Sequence, residues 1–104
     1  TVPTSATIEF RWKDQGSGNR KGRIFLRLMA PGGKEKAILP LTEGFASHHW
    51  DNITVQLEGR TPVLALATVG CWYQIVVEVG SGGGHLLYVK NFVLRLAAGE
   101  DINL

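Results

Sequence analysis

The stretch "ATIEFRWK", Ala6 to Lys13, decides the fold class. Ala6, Ile8, Phe10 and Trp12 fall on one parity, and Thr7, Glu9, Arg11 and Lys13 on the other. Such alternation offers one face to a core and one to water, as a half-buried strand requires; a helix would repeat its apolar residues every three or four positions. "RIFLRLM", Arg23 to Met29, repeats the pattern with Ile24, Leu26 and Leu28 inward, while Phe25 and Met29 leave apolar area on the outward parity. Between the two lies "KDQGSGNRKG", Lys13 to Gly22, ten residues where a tight hairpin needs only two. Read as a hairpin, this connection is too long and too polar for closure alone, and the excess reads as the wall of a binding site.

Further along, "APGGKEK" is a turn, and "AILPL" is an edge strand because Pro40 cannot donate to a ladder. The pattern lapses over "TEGFASHHWDN" and resumes in "ITVQLEG". "VLALATV", Val63 to Val69, is a short apolar run flanked by Pro62 and Gly70, and its length favours a strand. "CWYQIVVEV" is strand-like, "GSGGGH" (Gly80 to His85) reads as a hairpin tip, and "LLYVKNFVLRL" closes the fold with Leu86, Tyr88, Phe92, Leu94 and Leu96 on one parity. About seven strands with no substantial helix point to an all-β fold, a single antiparallel β-sandwich of jelly-roll or Greek-key type spanning residues 1–104. Its first and last strands are expected to be long and central. The alternation nominates Ile8, Phe10, Leu26, Leu28, Val55, Leu57, Ile75, Val77, Phe92 and Leu94 for the core.

Eleven basic and nine acidic side chains give a formal charge of +2 with no long like-charged run. Arg11, Lys13, Arg20, Lys21, Arg23 and Arg27 gather around the first connection, but the balance is too mild for a nucleic-acid footprint and reads as solvated surface. No nucleic-acid partner is expected. A single cysteine, Cys71, excludes an internal disulfide, and its apolar neighbourhood reads as that of a buried, inert thiol. No apolar run approaches the roughly 20 residues that span a bilayer as a helix, so a soluble chain without a membrane span is expected. The first residue is Thr1 and not Met, which points to a processed form or a domain of a longer chain.

The candidate site residues lie in loops. Asp14, Gln15 and Asn19 are hydrogen-bonding arms in a glycine-rich stretch that has neither the spacing of a phosphate-binding loop nor the carboxylates of a calcium-binding hand. "SHHWD", Ser47 to Asp51, concentrates His48, His49, Trp50 and Asp51, and His85 follows the glycine run. His85 and Cys71 are the only further ligands that a zinc site could recruit, and they lie far along the chain, so no metal centre is expected. No nucleophile, base and orienting acid share a recognisable signature, and the glutamates alternate outward on separate strands. Hence the expectation is a protein that is not an enzyme. Asn52-Ile53-Thr54 matches a glycosylation acceptor, at a strand start where access would be poor.

Unexplained polarity in loops on a rigid sheet suits recognition of a small polar ligand, most plausibly a carbohydrate, in a lectin-like manner. Trp50 would stack on a sugar face, while His49, Asp51 and Asn19 bond hydroxyls and Asp14 either does likewise or holds the loop. Trp72, Tyr73 and Tyr88 could extend the platform, but as strand residues they are expected to be core or cross-strand partners. No cofactor is expected, with calcium left open. The alternative is a protein–protein interaction module, or a self-assembling homo-oligomer, within a larger protein.

Overall fold

A computed structural model describes residues 3–14, 22–79 and 86–98. It contains strands β1 (Pro3–Asp14), β2 (Arg23–Met29), β3 (Glu35–Pro40), β4 (Asp51–Glu58), β5 (Trp72–Glu78) and β6 (Leu87–Ala98), with one four-residue helix, α1 (Pro62–Ala65), before β5. The strands form two antiparallel three-stranded sheets, β4-β1-β6 and β3-β2-β5. The inward parity of β1 and that of β2 meet in one hydrophobic cluster, where Ala6, Ile8, Phe10 and Trp12 pack with Ile24, Leu26 and Leu28. Phe10 anchors it, stacked on Phe92 at 5.6 Å and edge-on to Trp12 at 5.8 Å.

This arrangement corrects the reading of two connections. β1 and β2 are the centres of different sheets, so Lys13 to Gly22 leads from one sheet to the other and closes no hairpin. The physical reason is that two strands with strongly apolar inner faces can bury them against each other across a core, which side-by-side pairing would not do. The same holds for Gly80 to His85, whose flanking strands β5 and β6 also belong to different sheets. β2 and β3, in contrast, form the expected hairpin through Pro31 to Lys34, with Ala30 N–H donating to the Lys34 carbonyl at 2.7 Å and Gly33 at φ 90°. β3 is an edge strand, as Pro40 requires.

Six strands stand among the described residues instead of seven, because "VLALATV" is not a strand. Pro62 fixes φ at the first helical position, and the Leu64 and Ala65 N–H groups both reach the Thr61 carbonyl at 2.8 Å. Val63 and Leu64 are buried by this turn and plug the core. Of the expected core, Ile8, Phe10, Leu26, Leu28 and Leu57 are buried, and Val55, Ile75, Phe92 and Leu94 pack partly buried against them. Val77 is 44% exposed, since it lies near the end of edge strand β5. β1 is long and central, but β6, equally long, is at the edge.

The β1–β6 ladder shifts register twice, between Pro3 and Ser5 and between Glu9 and Arg11, and the second shift reverses the parity of β6. Glu9 faces Val93 while Arg11 faces Lys90, so Asn91 and Phe92 together oppose Phe10 alone. This is a β-bulge, and Asn91 occupies its left-handed position at φ 57°. Beyond the bulge Phe92, Leu94 and Leu96 keep the inward parity. Before it, Leu87 and Val89 face inward opposite Asp14 and Trp12, and Tyr88 and Lys90 turn outward opposite Lys13 and Arg11. Tyr88 is therefore an outer-face residue, 43% exposed, and not a core residue.

Two substitutions test this packing by urea unfolding. Phe10→Ala is expected to cost about 3–5 kcal/mol, as a buried aromatic does. Asn91→Val, which forces a β-branched residue into left-handed backbone, is expected to cost about 1–2 kcal/mol more than Asn91→Gly. Equal costs for the two Asn91 variants would argue against the bulge.

Candidate functional site

The outer face of the β4-β1-β6 sheet carries rungs of three residues set by its register. One rung places Asn52, Arg11 and Lys90 side by side. Continuing that register past Asp51 brings Trp50 next to Lys13, with Tyr88 on the other side. The Lys13 ammonium lies 5.3 Å from the Trp50 ring centre and 5.2 Å from that of Tyr88, between two rings that are 6.4 Å apart and tilted by 57°. Lys90 Nζ sits 4.1 Å over the Trp50 ring, and the Arg11 guanidinium 5.7 Å from its centre. Cations over exposed rings contribute about 0.5–1 kcal/mol each. None of these three cations makes an ion pair among the described residues, where Arg95 takes Glu9 at 3.1 Å. Arg11 Nε is buried with no hydrogen-bond partner among the described residues.

A hollow of about 220 Å³ adjoins the patch, lined by Glu9, Phe10 and Arg11 of β1, Asn52, Ile53 and Thr54 of β4, and Asn91 of β6. Asn91 of the bulge is its β6 wall. Asn52 and Thr54 are exposed there, so the glycosylation acceptor is accessible, contrary to the expectation for a strand start.

Trp50 is delivered by a connection that is tied down despite its irregular sequence. Leu41 and Ala46 are buried in the core, the Ala46 N–H donates to the Gly22 carbonyl at 3.2 Å, and Asp14 N–H donates to the Ser47 carbonyl at 2.7 Å. The Ser47 hydroxyl lies 2.7 Å from Asp51 Oδ2 and accepts the His49 N–H at 3.2 Å. Trp50 and His48 are partly buried, and His49 and Asp51 are exposed beside them. Asp14 has a different setting: it is only 2% exposed, and its Oδ2 accepts the Gly22 N–H at 3.2 Å. It thus braces the ends of the crossover from inside the fold. Gln15, Asn19 and His85 lie outside the described residues. The strand ends that flank the three polar stretches do converge, since Asp14 faces Leu87, Arg23 faces Glu78 and Trp12 faces Asp51.

Read from sequence, Tyr88 is set aside as a strand residue, Arg11 and Lys13 pass for solvated surface, and Lys90, which shares the parity of the inward Phe92, is passed over. A lysine and an asparagine inside an otherwise apolar strand were the available signal, since neither belongs on a core face. The cations of the first connection also separate: Arg11 and Lys13 stand on one sheet, Arg23 and Arg27 on the other.

Cys71 is partly exposed and is not the buried thiol expected. The Thr68 hydroxyl at 3.3 Å holds its pKa below the usual thiol value, joined by a hydrogen bond from the Thr68 main chain to the sulfur, with Lys36 Nζ at 3.9 Å adding to the effect. The neighbouring Tyr73, whose hydroxyl donates to the Val63 carbonyl at 2.7 Å, is shifted upward by burial and by Cys71. Among the described residues no three His, Cys, Asp or Glu side chains gather in a group that could hold a metal ion, and no described helix is long and apolar enough to cross a membrane.

Compared with known proteins, the chain matches no protein-family model, no curated protein and no solved structure. The functional reading therefore rests on these residues.

Two measurements follow. Asp14→Ala leaves the buried Gly22 N–H without its acceptor and is expected to lower stability by about 1–3 kcal/mol in thermal or urea unfolding; an unchanged midpoint would remove the bracing role. The alkylation rate of Cys71 is expected to reach half its maximum at a lower pH than that of free cysteine, because the thiolate is the nucleophile. Thr68→Val should move that midpoint upward, and an unmoved midpoint would remove Thr68 as the cause.

Proposed function

We propose that this domain is a non-catalytic recognition module that binds a carbohydrate on the outer face of β4-β1-β6, its two sheets serving as the layers of a sandwich scaffold. The observation that carries this reading is the rung Trp50–Lys13–Tyr88, two accessible amphipathic rings held on a rigid sheet beside a hollow of mixed polar and apolar lining. Trp and Tyr supply large contact area at small entropic cost, and the apolar face of a pyranose stacks on them as other rings do. Asn52 and Thr54 in the hollow supply donors and acceptors that orient hydroxyl groups, and the exposed His49 precedes Trp50 in the chain. The site is thus moved from loops at the end of the scaffold to a sheet face that one of those loops borders.

A second reading, a protein-interaction or self-assembling module, is favoured by the other sheet. Its outer face exposes Ile38 opposite Arg27 and Trp72 opposite Met29, and β3 and β5 are each unpaired on one side among the described residues.

A glycan-array screen followed by titration tests the first reading. Trp50→Ala and Tyr88→Ala are each expected to weaken binding about tenfold or more, the scale of an aromatic anchor. Binding that survives both variants unchanged would refute the platform. Absence of glycan binding, together with concentration-dependent association in sedimentation, would favour the second reading.

A further inference from the structure

Resting on the sheet-face reading above, we infer that the ligand is an anionic glycan, one whose sugar rings carry sulfate or carboxylate groups. The rings of the platform are not open. Lys90 Nζ stands 4.1 Å over Trp50, and Lys13 is wedged between Trp50 and Tyr88. A neutral sugar could reach the indole face only by displacing a cation and leaving it with nothing in exchange. An anionic sugar draws the same cation onto itself, so the charge lifted from the ring becomes a contact to the ligand.

The charges themselves point the same way. Arg11 and Lys13 are two residues apart on one face of β1, about 6.6 Å by strand geometry, and Lys90 is directly across from Arg11, so all three lie within about one Debye length. They repel one another, and no carboxylate among the described residues pairs with them. Arg11 Nε, buried and without a partner among the described residues, adds a donor beside the hollow. An anion seated over this corner relieves the repulsion.

A single-stranded nucleic acid offers similar chemistry, but the patch fits it less well. Strand tracking needs a run of cations over roughly four or more nucleotides and flat rings for successive bases. Here the cations occupy two rungs, followed on the same face by Glu9 paired with Arg95, and the two rings are tilted by 57° with an ammonium between them. The size suits one or two charged sugars.

The test titrates the 104-residue chain with four probes at low and at physiological salt: a sulfated hexuronate tetrasaccharide, its desulfated form, the same backbone with its carboxyl groups also reduced, and an eight-nucleotide thymidine strand. Expected are binding of the sulfated or the carboxylate form at least tenfold tighter than the neutral backbone, weakening with salt, and a loss of about tenfold in Lys90→Gln and Lys13→Gln, whose cooperative melting above the titration temperature certifies folding. The sulfated and desulfated arms tell which anion is read. Equal affinity for charged and neutral backbones, abolished by Trp50→Ala, would overturn this inference while leaving the platform standing. Absence of binding to all three saccharides would overturn both, and tighter binding of the thymidine strand would replace the glycan by a nucleic acid.

Discussion

The bulge at Asn91 is the constraint on which the aromatic and cationic face of β4-β1-β6 depends. β1 keeps strict alternation from Ala6 to Lys13, and most of its long partner β6 follows it rung by rung. A β6 without the bulge would place Tyr88 and Lys90 on the same side as Phe92 and Leu94, in the core. The additional residue opposite Phe10 lets Phe92 stack on Phe10 and still returns Val89 and Leu87 to the inner face. Outward, the same residue releases a tyrosine and a lysine beside Trp50, Lys13 and Arg11. Core packing and site composition are therefore two outcomes of one backbone irregularity.

Much of the fold was legible because β1 and β2 carry clean period-two patterns, and because glycine and proline mark the β2–β3 turn and the edge position of β3. What was not legible has definite physical causes. Alternation says which residues share a face but not which strand lies beside which, so the polar connections at Lys13–Gly22 and Gly80–His85 read as hairpins although their flanking strands lie in different sheets. A seven-residue apolar run does not reveal its period, and Pro62 decided it in favour of a helical turn. In the candidate site, Trp50 could be singled out as an aromatic in a polar loop, whereas Tyr88 was concealed by a parity that the bulge reverses. Asp14 looked like a ligand-binding arm because an acidic residue after a strand normally faces water; here it accepts a backbone N–H inside the fold.

The two faces of the β4-β1-β6 sheet have opposite electrostatic characters. Inward, apolar side chains and one braced carboxylate leave little for a ligand to do. Outward, three cations rest on aromatic rings in place of carboxylates, although Glu9 and Asp51 are close by in sequence and are engaged with Arg95 and Ser47. A cation on a ring is held more weakly than a cation in a charge-assisted hydrogen bond, so the patch is organised in the absence of a ligand yet easily rearranged by one.

The orientation of Tyr88 tests this account most directly. Nuclear Overhauser contacts of its ring protons, measured in the free protein, should link it to the Lys13 side chain and the Trp50 indole, while Val89 contacts Trp12. Contacts from the Tyr88 ring to Trp12 or Phe10, with Val89 facing solvent, would contradict it, for the strand would then lack the bulge and the outer face would lack its platform.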